Sequence, residues 1–471
     1  MNGKALLERL NTSRAAEIFT SLYGANETGA AKHRYASLIE GLLLDSPQGF
    51  PSLEFPETTG DLRIFTAAGR TELGGNHTDH NRGKVLAASI QLDSVAIVAP
   101  RKDRRIFFRS VGYPDVSVDL ADVSVAAGSS GALDIAPRPQ EKGTTEALVR
   151  GIAAEFAERG ASVGGFTANA ASTVLSGSGL SSSAAVEVLL GKIFDTLYWN
   201  GKCTALEIAQ IGQKAENIYF GKPSGLMDQT ACASGGAVAI DFADQAAPIV
   251  TNIPFDPLAA GFILCVVNTR GSHADLTPDY AAIPLEMKTI ARFFGKPVLR
   301  EIDRSMVLSH AGELRKAFGD RAFLRALHFF NENDRVDAML EALKRINAPT
   351  GNEASAANEK RKAMAEYLHL VNVSGDSSWE LLQNIYSPQK PAEQSIAAAL
   401  ALTKEFFHAN GGAAASGACR VHGGGFAGTI QAYIPADLFE AYRAEMETQF
   451  GSGAVTVLQI RSTGAAELQF N

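Results

Sequence analysis

The most informative segment of the sequence is Leu175–Val186, LSGSGLSSSAAV, in which two glycines and three consecutive serines lead directly into an apolar helical pattern. Gly177 and Gly179 allow the backbone to come close to an anion, and the start of the following helix adds amide N–H groups and the positive end of its dipole. The hydroxyl groups of residues 181–183 can bind phosphate or a magnesium ion. The segment matches neither a P-loop nor a Rossmann fingerprint, so it predicts a phosphate-binding loop of another kind. Taken alone, it is also compatible with a flexible turn and a serine N-cap.

A second segment, Ala68–Leu86, concentrates polar side chains in the sequence AGRTELGGNHTDHNRGKVL. Carboxylate and imidazole groups can donate to or accept from the vicinal hydroxyls of a sugar, and the adjacent Gly74 and Gly75 allow a tight backbone path. The side chains that could face such a ligand are Arg70, Asn76, His77, Asp79 and His80. Two alternatives stay open for this segment in isolation: a metal site on the two histidines and the aspartate, or a solvated loop.

A third segment, Arg420–Gly428, has the sequence RVHGGGFAG, a glycine run between a helical pattern and a strand pattern. Three consecutive glycines lose much conformational entropy on folding, which indicates a close approach to another backbone or to a ligand. A buried turn would explain the run equally well.

Hydrophobic periodicity around these segments predicts an α+β protein. The predicted helices are 5–23, 32–45, 145–159, 183–198, 205–220, 279–294, 301–317, 320–346 and 354–371. The predicted strands are 63–70, 85–100, 104–111, 116–125, 237–242 and 261–268, and the last section is predicted to run from a glycine turn through a strand and a helix to a final strand. We expect a loop at 349–356 and a domain boundary near 235–260.

Composition narrows the class of protein. The chain has 471 residues, enough for two or three domains, and its net charge of −8 comes without any block of like charges, which argues against binding to nucleic acid or to an anionic membrane. The four cysteines form no CxxC pair, so we expect neither a zinc cluster nor a disulfide framework. We also expect no secretory signal and no membrane-spanning helix, and therefore a cytoplasmic location. The sequence leaves the oligomeric state open.

Taken together, the three segments resemble the GHMP small-molecule kinases and, within them, the galactokinases. The first galactokinase motif reads approximately GRxNLIGEHTDYNxGxVLP. It is matched by Gly69, Arg70, Leu73, Gly75, His77, Thr78, Asp79, Asn81, Gly83, Val85 and Leu86. The second, PxGxGLSSSAA, is met over 177–185 with Leu175 where proline is usual, and the third, GGGFGG, is met over 423–428 with Ala427 in place of a glycine. The intervening blocks at 213–229, 279–280 and 325–336 also match, so the resemblance extends over nearly the whole chain.

The resemblance implies a two-domain α+β fold with the active site in the cleft between the domains. The first domain, 1–235, would bind sugar and ATP, and the second would comprise 236–471. The implied reaction is transfer of the γ-phosphoryl group of ATP to the anomeric hydroxyl of a hexose, in which catalysis depends mainly on positioning and charge stabilisation.

The resemblance also implies a role for each matching residue. Asp228, within GLMDQ, would accept the proton of the sugar O1 hydroxyl, and Arg70 would keep Asp228 ionised and stabilise the transferring phosphoryl group. Ser183 and Glu216 would hold Mg²⁺, with Ser182 as a competitor for the serine role. The residues implied to bind ATP are Gly177, Ser178, Gly179, Leu180, Ser181, Ser182, Ser183 and Ala184. Those implied to contact the sugar are Asn76, His77, Asp79, His80, Tyr280 and Asp228. Gly424 and Gly425 would close against the phosphate side.

Two departures from the family pattern bear on the substrate. Asn76 stands where galactokinases carry a glutamate that contacts the C6 hydroxyl, and His80 replaces a tyrosine; Glu72 and Gly74 also depart. An amide at position 76 removes the repulsion that a carboxylate would exert on a uronic acid, while it can still bond to a neutral hydroxyl. We therefore expect a galactose 1-kinase, with a galacturonate 1-kinase of the same family as the alternative. A sugar sensor without turnover is a third hypothesis, disfavoured because the phosphate loop is intact.

Overall fold

The computed structural model describes residues 2–43, 61–120, 137–175, 177, 179–271, 276–348, 353–411 and 417–470. Within these ranges the chain forms fourteen α-helices and twelve β-strands. The helices are α1 Gly3–Arg9, α2 Ser13–Tyr23, α3 Thr28–Glu40, α4 Thr145–Glu158, α5 Ser182–Tyr198, α6 Ala205–Lys214, α7 Met227–Ser234, α8 Thr277–Phe293, α9 Arg304–Ser309, α10 Ala311–Phe318, α11 Asp320–Asn347, α12 Glu353–Ser377, α13 Ser395–Gly411 and α14 Phe439–Phe450. The strands are β1 Arg63–Gly74, β2 Lys84–Pro100, β3 Arg105–Ser110, β4 Val116–Asp119, β5 Phe166–Ser172, β6 Ala237–Asp241, β7 Ile249–Ile253, β8 Phe262–Asn268, β9 Ala418–Val421, β10 Thr429–Pro435, β11 Val455–Val457 and β12 Ala466–Leu468.

The larger sheet has the strand order β12-β1-β2-β5-β3-β4, with β6 paired to β2 and β7 paired to β6. All its pairs are antiparallel except β3 with β5. The register of β1 against β2 is irregular between Ala68 and Gly69 and again between Glu72 and Gly74. Such irregularities bend a strand and redirect its side chains. They flank Arg70, which stays within β1 and lies next to the glycine–serine loop, because its backbone amide donates to the Leu180 carbonyl.

The central strands β1 and β2 of the larger sheet are buried at nearly every position. Because successive side chains of a strand point to opposite sides, both faces of these strands are covered. Ile64, Val95 and Ile97 pack against helices α1–α3, whereas Phe65 and Ala96 belong to the main core under helices α4–α7. Strands that are buried on both faces give a rigid support to the residues they carry and to the loop that joins them.

The smaller sheet has the order β11-β8-β10-β9, and helices α13 and α14 pack against it. In sequence, helices α8–α13 lie between β8 and β9, two strands of this smaller sheet, and α11 contacts α12, α8 and strand β2 of the larger sheet. None of the helices formed by the described residues has the length and apolar character needed to cross a membrane.

The predicted α+β class is confirmed, and the element bounds differ in a few places. The predicted helix at 5–23 is two helices, because Thr12 stops the first and caps the second by accepting a hydrogen bond from the Ala15 amide at 3.2 Å. The predicted helix at 301–317 is likewise divided at His310. The helix predicted over 205–220 changes to a π-helical turn at Ala215–Phe220. Parts of three predicted elements, 44–45, 121–125 and 349–352, lie outside the described residues.

The boundary predicted at residue 235 stays a prediction. Strands β6, β7 and β12 all follow that residue and all belong to the larger sheet, whereas the smaller sheet is built entirely from strands after residue 261. The C-terminal part of the chain therefore contributes to both sheets.

Candidate active site

Arg70 and Asp228 form a bidentate ion pair at the centre of the site. Nε of Arg70 donates to Oδ1 of Asp228 at 2.8 Å, and Nη2 donates to Oδ2 at 2.7 Å. Asp228 lies in the first turn of α7, where the helix dipole favours a negative charge. Two further contacts fix the pair, because Arg70 also donates to the Gly179 carbonyl and the Ser181 hydroxyl donates to Asp228. The two residues predicted to be catalytic are thus in direct contact.

The surroundings of Asp228 keep its carboxyl group ionised. Loss of water around it raises the pKa, but the Arg70 guanidinium, the Ser181 hydroxyl and the Lys222 ammonium lower the pKa by more. The net pKa of Asp228 lies below its ordinary value. At neutral pH the group is a carboxylate that can accept a hydrogen bond.

The glycine–serine loop leads into α5 with its first amides uncapped. Gly177 and Gly179 both have φ of +71°, and Ser181 adopts the left-handed conformation at +59°. Within the described residues no side chain caps α5, because the Ser181 hydroxyl is directed to Asp228 instead. The first turn, at Ser182–Ala184, therefore presents amide groups and a helix dipole that suit a phosphate. Ser178, predicted to bind ATP, lies outside the described residues.

Leu180 differs from the other residues predicted to bind ATP. Its side chain is fully buried, and its carbonyl accepts a hydrogen bond from the Arg70 amide at 3.2 Å. This contact attaches the loop to the end of β1. Leu180 thus anchors the loop through its side chain and its carbonyl.

The two glycine-rich loops pack against each other. A Cβ atom on Gly179 would lie 3.1 Å from Nδ1 of His422, and one on Gly423 would lie 3.3 Å from Cα of Gly179. The glycine run is therefore explained by a close approach between backbones. Gly423 faces the phosphate loop, whereas Gly424 lies against the ring of Tyr280, and Tyr280 donates to the Gly425 carbonyl at 2.9 Å.

Ser183 and Glu216 bring two hard oxygen donors together beside this loop. Oγ of Ser183 lies 3.5 Å from Oε1 of Glu216. Glu216 is the second residue of the π-helical turn Ala215–Phe220. Lys222 places its ammonium group 3.0 Å from the same carboxylate oxygen. A hydroxyl and a carboxylate are ligands that Mg²⁺ prefers, and the ammonium shows that the position attracts a cation. The residues present fit a magnesium ion.

Glu187 is a buried acid that the sequence reasoning missed. Nε2 of Gln229 donates both to Oε2 of Glu187, at 2.9 Å, and to Oε2 of Glu216, at 3.0 Å. Burial, and then the charge of Glu216, raise the pKa of Glu187 well above its ordinary value. The available signal was an acidic residue within the apolar pattern of α5, four positions after Ser183 and so on the same helix face.

The residues predicted to contact sugar form the other side of the site. Asp79 lies against Gly225, three residues before Asp228, so closely that a Cβ atom there would collide with its carboxylate. Nε2 of His77 bonds to the Gly424 carbonyl at 3.0 Å, and the rings of His77 and His80 stack with centroids 6.3 Å apart. The described residues contain no group of three or more histidines, cysteines or acids arranged to hold a metal, which leaves the alternative of a histidine metal site without support.

Asn76 is buried, and its amide group is used within the protein. Nδ2 donates to the Glu72 carboxylate at 3.1 Å and to the Gly423 carbonyl at 2.8 Å. Oδ1 accepts a hydrogen bond from Nδ2 of Asn384 at 2.9 Å. Both amide hydrogens are occupied, so Asn76 joins the loop at 75–83, here called the sugar loop because it carries residues predicted to contact sugar, to the glycine run at 423–428. Its predicted contact with the sugar stays a prediction.

Glu72 forms a buried ion pair with Arg420, and both side chains are at most 2% exposed. Burial raises the pKa of Glu72, and the neighbouring Arg420 and Arg70 oppose that effect only in part. The Glu72 carboxylate is therefore paired with the Arg420 guanidinium in the protein interior, out of contact with solvent.

Helix α11 supports the sugar loop from behind. Glu332 accepts a hydrogen bond from the Gly75 amide at 3.1 Å, and Asn333 accepts one from the Lys84 amide at 2.7 Å. Nε2 of His328 donates to the Asn76 carbonyl at 3.0 Å, so its Nδ1 is the acceptor for the Ser377 hydroxyl at 2.9 Å. The family block at 325–336 is therefore the part of the fold that holds the sugar loop.

His328 should make the protein less stable in mild acid. Burial lowers the pKa of His328 to about 4, whereas the unfolded chain binds the same proton at about 6.5. Between these values the unfolded state binds more protons, so lowering the pH from 7 to 5 should cost about 2 kcal/mol of unfolding free energy through this residue. Urea unfolding at the two pH values should show a loss that is smaller by about that amount in His328→Gln, which keeps the donor without the titrating group. Equal losses in both proteins would contradict the prediction.

Two family models and two galactokinase relatives match this chain. The family model for the GHMP kinases N terminal domain matches residues 147–236, and that for the galactokinase galactose-binding signature matches residues 53–100. The galactokinase of Streptomyces coelicolor is 33% identical over 287 residues, which is 60% of this chain and 69% of the relative. The galactokinase of Glaesserella parasuis is 30% identical over 381 residues, which is 80% of this chain and 86% of the relative.

Solved structures show the same fold. Lactococcus lactis galactokinase complexed with galactose matches with a TM-score of 0.67 at 23% identity, over 87% of this chain and 97% of that chain. Methanococcus jannaschii mevalonate kinase matches with a TM-score of 0.55 at 14% identity, over 85% and 99%. The resemblance predicted from the three segments is confirmed. The chain belongs to the galactokinase family of GHMP kinases.

Proposed function

We propose that this protein is an ATP-dependent sugar 1-kinase that converts galactose and ATP to galactose 1-phosphate and ADP. The observation that carries the proposal is the Arg70–Asp228 pair, which lies between a loop suited to phosphate and a loop suited to sugar hydroxyls. The galactose-binding signature at 53–100 and the two galactokinase relatives support galactose as the sugar.

In the proposed reaction Asp228 orients the O1 hydroxyl and takes up its proton. The O1–Pγ bond forms while the bond from Pγ to the β,γ-bridging oxygen breaks, and ADP leaves with that electron pair. Because the pKa of Asp228 is low, proton transfer becomes favourable only as the O1–Pγ bond forms, so the carboxylate acts first as an orienting group. Arg70 is fixed in position and places a positive charge beside the transferring phosphoryl group.

The chain's own amides and hydroxyls bind the nucleotide in this proposal. The uncapped start of α5 accepts the β-phosphate, and the close packing of Gly423 on Gly179 keeps the loop in place. Ser183 and Glu216 would hold Mg²⁺, which supplies charge neutralisation on the phosphates.

The cysteines bear on the location of the protein. Cys203, Cys232, Cys265 and Cys419 are all free thiols, which supports a location in the reducing cytoplasm.

Galacturonate is the second candidate substrate, and one observation favours it. Position 76 carries an amide rather than a carboxylate, and the nearby carboxylate of Glu72 is buried and paired with Arg420. No negative side chain at position 76 would then repel a carboxylate at C6.

The test is ADP release by the purified protein with Mg²⁺, ATP and one of five sugars: galactose, galacturonate, glucuronate, glucose or N-acetylgalactosamine. We expect the highest kcat/KM with galactose, and the Asp228→Asn variant serves as the blank. If kcat/KM is highest with galacturonate, the substrate is galacturonate rather than galactose, and the missing negative charge at position 76 sets the specificity. A protein that binds ATP and sugar but releases no ADP would be a sensor, and the kinase proposal would be wrong.

A further inference from the structure

Lys222 lies at the point where the proposed cation site opens to solvent. Gly221, with φ of +82°, reverses the chain after the π-helical turn, and the amides of Gly221 and Lys222 both donate to the Glu216 carbonyl, at 2.9 and 3.1 Å. This tight turn brings the lysine side chain back over the residue from which the turn starts. Its ammonium group lies 3.0 Å from Oε1 of Glu216.

The two partners of this ion pair differ in exposure. The Lys222 side chain is 59% exposed, whereas that of Glu216 is 3% exposed. Glu216 is further held by Gln229 from the protein side. The carboxylate is therefore fixed, and the lysine, on a flexible four-carbon stem, can leave it without disturbing the core.

The ammonium and the proposed divalent cation require the same oxygen atom. Oε1 of Glu216 is the atom that faces the Ser183 hydroxyl, at 3.5 Å, and it is also the atom that Lys222 contacts. Two cations on one carboxylate oxygen repel each other. A cation that binds between Ser183 and Glu216 must displace the ammonium.

The geometry points to Lys222 as a phosphate-binding residue that a divalent cation releases from Glu216. The inference rests on the proposed function, since it assumes that a nucleotide triphosphate binds at the start of α5. The anions within reach of the released ammonium are then the phosphate oxygens, because the carboxylate of Asp228 is already paired with Arg70. In this arrangement Lys222 weakens binding of the cation alone and strengthens binding of the cation–nucleotide complex.

The test compares Lys222→Met with the wild-type protein in two binding measurements that need no turnover. Electron paramagnetic resonance of Mn²⁺ gives the dissociation constant of the cation alone, and calorimetry gives that of Mn²⁺–ATP in the absence of sugar. We expect the variant to bind Mn²⁺ about threefold to tenfold more tightly and Mn²⁺–ATP about tenfold more weakly. A structural role for Lys222 would move both constants in the same direction.

Lys214→Met is the matched control. Lys214, the last residue of helix α6, forms ion pairs with two acids of helix α4, with Glu155 and, at 3.1 Å, with Glu158. This variant should leave both dissociation constants within a factor of two of wild type. If Lys222→Met leaves either constant within a factor of two, or moves the two in the same direction, the inference is wrong. Absence of sugar-dependent ADP release by the wild-type protein would instead count against the proposed function, and the two failures are therefore distinguishable.

Discussion

Replacing Asp228 with asparagine should lower kcat by about 10²–10⁴-fold, the range expected for loss of a positioned proton acceptor. The asparagine has the same size, but its amide cannot take up the O1 proton. It also removes one of the two charge-assisted hydrogen bonds that now fix the buried Arg70 guanidinium at 2.8 and 2.7 Å, because an amide has a single acceptor oxygen. Both effects act on the transition state more than on substrate binding.

The measurement is steady-state ADP release with the preferred sugar, together with the dissociation constant for ATP. We expect the ATP constant to change by no more than a few-fold, because the asparagine oxygen can still accept the hydrogen bond from the Ser181 hydroxyl and the buried Leu180 anchors the phosphate loop independently. Asp376→Asn is the matched control, since Asp376 is an exposed acid paired with Lys404 at the surface, and it should retain full activity. If Asp228→Asn retains more than a tenth of the wild-type kcat, Asp228 is not the proton acceptor.

Sequence patterns predicted the elements of the site better than the contacts between them. The glycine–serine loop before α5 and the polar loop after β1 could be recognised in the sequence, because the functional groups of each lie within fewer than twenty consecutive residues. The pairing of Arg70 with Asp228 was reached only through the family resemblance, because the two residues are 158 positions apart. No periodicity connects residues at such separations.

The contacts that sequence reasoning missed are long-range or depend on local backbone geometry. Glu72 and Arg420 are 348 residues apart, and the burial that makes their pairing necessary is a property of the whole fold. Ser181 was predicted to bind phosphate, but its left-handed backbone directs its hydroxyl to Asp228. The π-helical turn at Ala215–Phe220 changes the direction of Glu216 relative to a regular helix, and helical periodicity alone gives no sign of it.

Replacing Arg420 with methionine should lower the free energy of unfolding by about 3–5 kcal/mol, because it leaves Glu72 as a buried charge without its partner. Methionine fills a similar volume, so packing is largely kept. Urea unfolding at pH 7 measures the loss. The exposed pair of Lys344 and Glu341 is the control, since Lys344→Met should cost less than about 1 kcal/mol.

The double variant Glu72→Gln with Arg420→Met separates lost charge pairing from lost packing. If the cost comes from an unpaired carboxylate, removing that charge as well should recover a large part of the stability.

The pH dependence of the stability of Arg420→Met gives an independent check with a definite sign. The folded-state pKa of Glu72 is already raised by burial, and loss of Arg420 should raise it further. A raised folded-state pKa means that folding favours the protonated acid, so the stability of Arg420→Met should fall as the pH increases from about 4.5 toward neutral. A loss that is the same at pH 5 and pH 8, and unchanged in the double variant, would mean that Arg420 stabilises the fold through packing alone.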